Sequence, residues 1–439
     1  MVGIEHALHG QPWSRTTRVA FRFCFIYFGL YCLATQFSGG LVVNPVFSFP
    51  GLGRFWPMRE ITVWYATRVL HVTSPLVYTG NSGDTMFYWL QTYLLLAVAF
   101  GATLLWSGLD NRPEYSTLHK WFRFVIRLVV ASQMFDYGMA KVIPTQFPQP
   151  SLITLVEPVG HLELTGVLWT AYGASPGYQM FTGWVEMLAG VLVLVPRTTM
   201  LGALVGMMVM VQVWIMNMTF DIPLKIVAFH LLLLTLFLIA PHVRRLIDFF
   251  VLRRPVAAPT DPTPFRTPRA NRMALVAQMV FGVYLVVMYA NLYRSYWYAE
   301  GGRGGPRSPL YGIWNIDEIS IDGQVRPPAL NDYDRRWRRV IFDVPSSMAF
   351  QRTDDSFAHY DVSIDAATRS LTLTKRYSST WKASFSFERL GADQLTLVGE
   401  MDQRRIRMDL RLVDLDSFRL PNGTFRWVAP PSSVAPPSS

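Results

Sequence analysis

Gln133, Tyr137 and Lys141 recur at i, i+4 and i+8, so one helix face carries an amide, a phenol and an ammonium, with Asp136 on the neighbouring side. The stretch around them is apolar enough to enter a bilayer, where each polar group is costly and therefore a functional candidate. Lys141 stands near one end, just before Pro144. Two readings stay open for it. Its ammonium either snorkels to the headgroups or lines an amphipathic cavity, where it binds or deprotonates a polar headgroup such as that of a quinol.

Glu186, in Trp184-Val185-Glu186-Met187-Leu188-Ala189-Gly190, is the second candidate. A glutamate in mid-span must be protonated, paired or facing water. Lys141 and Arg127 are its candidate partners, and a structural ion pair and a catalytic role are equally open. Asn217, Asp221 and Lys225 form a third group at i+4 steps around Pro223. Pro223 suits the first turn of a helix with Asp221 as its cap, or Asp221 and Lys225 help bind a cofactor. His230 is either a proton-transfer group or a hydrogen-bonded core histidine. Ser82-Gly83-Asp84-Thr85 reads as an N-cap before the next apolar run, and Gln91 points into the bundle or to a neighbour. The catalytic candidates are thus Lys141, Glu186, Asp136, Tyr137 and His230, and the cofactor-binding candidates Lys141, Gln133, Asp221 and Lys225.

Other chemistries find no support. The chain lacks a Walker A motif, a G-x-G-x-x-G, a CxxCH and an H-x-x-H cluster, which disfavours ATP, dinucleotide and haem enzymes, and no metal site is expected. Cys24 and Cys32 lie eight residues apart in the first apolar run, without metal-ligand spacing, and read as inert buried thiols. The formal charge of +10 reflects Lys and Arg clustered in short loops beside apolar segments, so nucleic acid is not expected as a partner.

The elements that must position these groups are transmembrane helices. Only 16% of the 439 residues are charged and 51% are hydrophobic, against about 25% charged in soluble domains. The expected fold is an α-helical membrane bundle of about seven transmembrane helices, over 17–37, 85–106, 120–141, 177–196, 199–219, 223–241 and 273–293, each near the ~20 residues that cross a hydrocarbon core. Only Pro196-Arg197-Thr198 separates the fourth and fifth, which forces an antiparallel hairpin. The start of the chain is read as leading into a retained helix, not a signal peptide. Residues 54–78 suit an interfacial amphipathic helix, Leu152 to Trp169 a re-entrant or interfacial segment, and 255–270 a proline-rich linker.

With seven spans, Arg15, Arg18, Arg112, Lys120, Arg197 and the arginines of 241–272 fall on one side, while the other has Arg54, Arg59 and Arg68 in a long first loop and then Val142 to Pro196 with no Lys or Arg. The positive-inside bias then makes the N-terminus cytoplasmic and the C-terminal domain extracytoplasmic, in a cell (inner) membrane.

After Arg294 the run Gly301-Gly302-Arg303-Gly304-Gly305-Pro306 breaks the helix. Beyond it the apolar period becomes 2, over segments such as Asp361–Ile364, Ser370–Thr374, Lys382–Phe387, Gln394–Val398, Arg405–Leu412 and Thr424–Val428. About eight short strands, in an all-β barrel or sandwich over 306–428, are expected, with Trp314, Phe425 and Trp427 as core anchors. His359 and the aspartates of this part read as solvated surface. The Pro/Ser-rich tail 429–439 is expected to be disordered. The helical domain takes 1–294.

Two motifs carry a family resemblance. Tyr137-Gly138-Met139-Ala140-Lys141-Val142 before Pro144 resembles the aromatic-small-x-small-Lys signature of the DoxX family. Trp184 to Gly190, then Leu192-Val193-Leu194-Val195-Pro196-Arg197-Thr198, resembles that family's glutamate-glycine-leucine stretch, although Val191 replaces the usual second glycine. The resemblance covers roughly 85–241. It implies quinone-linked redox chemistry at the outer leaflet, with a diffusible quinone as cofactor and Lys141 on the headgroup. The Lys141 helix is also similar to that of the vitamin K-dependent carboxylase family, where a lysine acts on a hydroquinone. Gly312-x-Trp314 and Gly423-x-Phe425-x-Trp427 give the C-terminal part a lipocalin-like resemblance.

The expectation is therefore a membrane quinone-linked oxidoreductase. The rival is a non-enzymatic scaffold, whose polar residues are helix glue worth about 0.6–2 kcal/mol each and whose outer β-domain binds a lipid or a membrane partner subunit. Convergence of Lys141, Glu186 and His230 on one cavity separates the two. A transporter is disfavoured, since no repeat of the broken-helix kind is visible.

Overall fold

The computed structural model describes residues 12–44, 51–78, 83–256, 265, 267–328, 332, 336–375, 378–423 and 427–428. The chain forms two compact units, one of Met1–Ile143 with Met180–Ser295, the other of Pro144–Gln179 with Tyr296–Ser439. Residues 144–179, placed with the helices on sequence, cluster with the second unit.

The helices are α1 (Arg15–Ala34), the short α2 (Gln36–Gly39) and α3 (Met58–Trp64), α4 (Met86–Leu109), α5 (Ser116–Val142), α6 (Leu152–Val156), α7 (Leu164–Ala174), α8 (Pro176–Leu194), α9 (Thr199–Thr219), α10 (Lys225–Ile239), α11 (Val243–Leu246) and α12 (Pro268–Tyr298). All seven segments read as spans are helical over most of their length. Among the described residues, five stretches are long and apolar enough to cross a membrane, α1, α4, α9, α12 and Lys225–Val251, in which α10 continues through α11. The other two differ in kind. α5 carries Arg123, Arg127, Asp136 and Lys141, and α8 carries Gln179 and Glu186.

Helix ends in the first unit are closed by side chains from other helices. The guanidinium of Arg127 donates to the carbonyls of Val193 (3.2 Å) and Leu194 (2.7 Å), the last of α8. Arg123 donates to Leu238 O of α10 at 3.2 Å, and Arg22 of α1 to Asp110 O at the end of α4 at 2.6 Å. Each cation meets the orphan carbonyls and negative dipole end of a helix, which favours cations there. Arg127 is therefore a cap, not the partner of Glu186.

The second unit holds β1 (Gly312–Ile321), the two-residue β2 (Gln324–Val325), β3 (Trp337–Phe342), β4 (Ser347–Arg352), β5 (Phe357–Asp365), β6 (Ser370–Lys375), β7 (Ser378–Arg389), β8 (Gln394–Met401) and β9 (Arg404–Leu412). β1 pairs antiparallel with β2 and β3, each strand from β3 to β8 pairs antiparallel with the next, and β1 pairs with β9 from Trp314↔Leu412 to Ile321↔Ile406. Eight strands thus close into a barrel, with β2 appended to β1. Closure removes the exposed edges of an open sheet. The inside is a side-chain core that includes Trp314, Val340, Phe342, Phe350, Leu373 and Met408. Gly312 has φ +147°, and a Cβ there would lie 2.4 Å from Leu412 Cδ1, so glycine is needed where the chain enters β1.

Three expectations are corrected here. Trp427 is not a core anchor; it is 92% exposed. Of the strand expected over Thr424–Val428, residues 424–426, with Phe425, lie outside the described residues, and 427–428 are a bend. The segment read as re-entrant or interfacial is not re-entrant at its start: α6 packs on the barrel, where Leu152 is buried with Ile313 and Ile341 and its N–H donates to Asp343 Oδ2 at 3.0 Å. The tail 429–439 and most of the 255–270 linker lie outside the described residues.

Candidate functional site

α5 and α8 pack almost backbone to backbone. A Cβ on Gly138 would meet Gly183 O and Met187 N at 3.0 Å, and one on Gly190 would meet the Phe135 ring at 2.7 Å. Small residues at such a crossing let helix backbones approach closely. The approach brings Lys141 to Glu186.

Lys141 Nζ donates to both carboxylate oxygens of Glu186, at 2.9 and 2.8 Å, and to Tyr137 O at 3.3 Å. Lys141 is 5% and Glu186 2% exposed. The three protons of the ammonium are thus all engaged. Desolvation of such a pair is expensive and only good geometry offsets it. The bidentate contact meets that requirement. In this state Lys141 is held as a hydrogen-bond donor; for it to act as a base, its proton must first pass to Glu186.

The rest of the polar α5 face is knitted to other helices. Gln36 Nε2 in α2 donates to Tyr137 OH at 2.8 Å and to Gln133 Oε1 at 3.2 Å. Gln133 is buried, and its own Nε2 has no hydrogen-bond partner among the described residues. The Tyr293 hydroxyl in α12 donates to Asp136 Oδ1 at 2.5 Å. Ser132 and Tyr289 both donate to Gly40 O, at 2.5 and 3.1 Å. Gln133, Asp136, Tyr137, Lys141 and Glu186 therefore share one polar seam, to which Gln36, Ser132, Tyr289 and Tyr293 belong although sequence reasoning missed them. The i, i+4 spacing of Tyr289 and Tyr293 in an otherwise apolar span was the available signal.

The remaining candidates lie elsewhere. Both ring nitrogens of His230 are occupied, Nε2 by Tyr27 OH and Nδ1 by Ile226 O, each at 2.7 Å, and the ring stacks on Tyr31 at 3.6 Å. Since a carbonyl can only accept, Nδ1 carries the proton and Nε2 accepts from Tyr27. His230 is thus a satisfied core histidine and does not join the Lys141 seam.

The α10 end has a different cap from the one expected. Asp84 accepts from Lys225 N at 2.7 Å and Ile226 N at 3.0 Å. Asp221 is an exposed residue at φ +53° that pairs with Lys225 Nζ at 2.7 Å. Asp84 in turn does not cap α4, whose Thr85 makes no side-chain cap bond. Asp221 and Lys225 therefore form an ion pair at the start of α10, apart from the seam. Gln91 donates to Gly53 O at 3.4 Å. Among the described residues no group of three or more His, Cys, Asp or Glu is arranged to hold a metal.

Comparison with known proteins adds a relationship. Over 124 residues, 28% of this chain and 79% of its relative, it is 35% identical to YwoB, an uncharacterized protein of Bacillus subtilis (strain 168). The chain belongs to the YwoB family. No protein-family profile matches it, and no solved structure does. The YwoB relationship spans less than a third of the chain and carries no activity with it.

Proposed function

We propose that this chain is an integral membrane protein of DoxX type that binds a quinone or quinol headgroup at the α5–α8 seam. In this reading α5 and α8 also cross the bilayer, making seven spans, with the N-terminus cytoplasmic and the β-barrel outside. The observation that carries it is the buried Lys141–Glu186 pair, continuous with Tyr137 and Gln133 on one helix face and flanked by Asp136. A purely structural seam has no need of a donor left over, whereas Gln133 Nε2 is one. A headgroup oxygen entering the seam takes a hydrogen bond from Lys141 in exchange for one carboxylate oxygen of Glu186. The pair then holds the proton that a quinol hydroxyl gives or takes.

A specific observation favours the rival, a non-enzymatic scaffold. His230 is held by its own neighbours and does not converge with Lys141, and the ammonium is saturated by Glu186 and Tyr137. One experiment separates the readings. Removing one partner of a buried pair costs about 3–5 kcal/mol, whereas replacing both by apolar residues is often neutral. The double variant Lys141→Met with Glu186→Leu is therefore expected to fold. Native mass spectrometry of the wild type in mild detergent should show a co-purifying quinone that this variant lacks. A wild type free of quinone, or a double variant that retains it, rules out the site.

A further inference from the structure

The helix that continues α10 does not end at the bundle. It runs through Val243–Leu246 and a wider turn over Ile247–Val251, closed by Leu252 N donating to Ile247 O at 2.9 Å. Arg253, at φ +52°, stops it. Leu246 packs on the bundle core. Val243, Ile247, Phe250 and Val251, at i, i+4, i+7 and i+8, share a second face that is exposed, with Phe250 at 67% and Val251 at 70%. Phe249 and Leu252 are exposed as well. Within 243–254 stand Arg244, Arg245, Arg253 and Arg254, and the one acid of that stretch is Asp248.

Beside it lies the start of α5. Arg123 reaches both Leu238 O and His242 Nε2, at 3.2 and 3.3 Å, so Lys120 and Trp121 sit one turn earlier at the same end of the bundle. Trp121 is partly exposed and its ring packs edge-on against Phe265 at 5.6 Å. Aromatic and aliphatic side chains ringed by arginines are the composition of a helix lying in a headgroup layer, where acyl chains take the apolar face and anionic phosphates take the cations.

We infer that residues 243–254 dock on the leaflet at this end of the bundle and select anionic phospholipid there. Charge complementarity decides the occupant. A zwitterionic headgroup offers no net charge to the four arginines, and a second copy of this chain would bring the same positive surface against them. The inference rests on the membrane-spanning reading and is independent of the quinone.

The test uses the full chain in nanodiscs of equimolar phosphatidylcholine and phosphatidylglycerol, with retained lipid counted by native mass spectrometry. At about 1 kcal/mol per arginine near the surface, phosphatidylglycerol should be retained about tenfold or more over phosphatidylcholine. The combined Arg244→Gln, Arg245→Gln, Arg253→Gln and Arg254→Gln variant should fall toward parity. Wild type at about 1 M salt, where the Debye length is about 3 Å, should do the same without any substitution. Equal retention in wild type overturns the inference, as does a dimer that Phe249→Ser with Phe250→Ser dissolves. Protein that does not enter nanodiscs at all sinks the membrane reading itself.

Discussion

A Cβ on Gly183 would stand 2.7 Å from the carbonyl oxygen of Gly138 and 2.8 Å from Lys141 Cβ. The crossing of α5 and α8 at these glycines is what lets an ammonium and a carboxylate 45 residues apart meet inside the bundle. Gly183→Leu is expected to force the helices apart, costing about 1–3 kcal/mol from overpacking alone and more from the broken ion pair. A crosslink between cysteines placed on the facing helix surfaces reports the separation. Undiminished crosslinking and a normal melting temperature count against it.

Asp84 should matter more to α10 than Asp221 does. Asp84→Ala leaves the N–H groups of Lys225 and Ile226 without their acceptor, and loss of such a cap costs about 0.5–2 kcal/mol. Asp84→Asn, which keeps an acceptor, should cost less. Asp221→Ala should cost less than Asp84→Ala, because its pair with Lys225 is at the surface and only the left-handed backbone at φ +53° resists the change. Thermal melting in detergent ranks the three, and an Asp221→Ala loss equal to that of Asp84→Ala contradicts the assignment.

The barrel depends on one indole. Trp314 is fully buried, donates from Nε1 to Leu310 O at 2.9 Å, and lies under the Arg389 guanidinium at 5.7 Å. Trp314→Ala is expected to destabilise the second unit by about 3–5 kcal/mol. Limited proteolysis should then cut within the β-strands before the helices. A variant as resistant as wild type overturns this.

Acidity should stabilise the docking of α6 on the barrel. Burial raises the Asp343 carboxyl above its ordinary range, only partly countered by the Leu152 N–H and the Arg307 charge. An acid whose folded-state value is raised binds more protons folded than unfolded. Its contribution is therefore present at low pH and lost as pH rises from the ordinary aspartate value near ~3.9 through the raised one. Asp343→Asn removes that slope and still accepts from Leu152. Denaturant midpoints measured upward from about pH 4 should fall in wild type relative to this variant. Parallel curves contradict the prediction.

Much of the architecture was legible because hydrophobic period is a local property. The seven helical segments show as apolar runs, and the later strands β5 to β9 alternate because one face meets the core and the other water. β3 and β4 do not alternate. Val340, Ile341 and Phe342 are all buried, as are Met348, Ala349 and Phe350, and for Ile341 the outer cover is α6, some 190 positions away by the Leu152–Asp343 bond. No local pattern announces a strand whose outer face is covered from elsewhere in the chain.

The same division holds for the site. Spacing alone put Gln133, Tyr137 and Lys141 on one face and marked Glu186 as a carboxylate that needed a partner. Which cation that partner is depends on where α8 crosses α5: the crossing gives Glu186 to Lys141, while Arg127, about four turns earlier on the same helix, meets the end of α8. Likewise the sequence neighbours of His230 do not reveal that Tyr27 and Tyr31 satisfy it, nor those of Asp221 that Asp84 takes its role as cap. Residue type and period act within a helix, where geometry repeats every few residues. Partners across helices depend on the fold as a whole, and only the tertiary structure decides them.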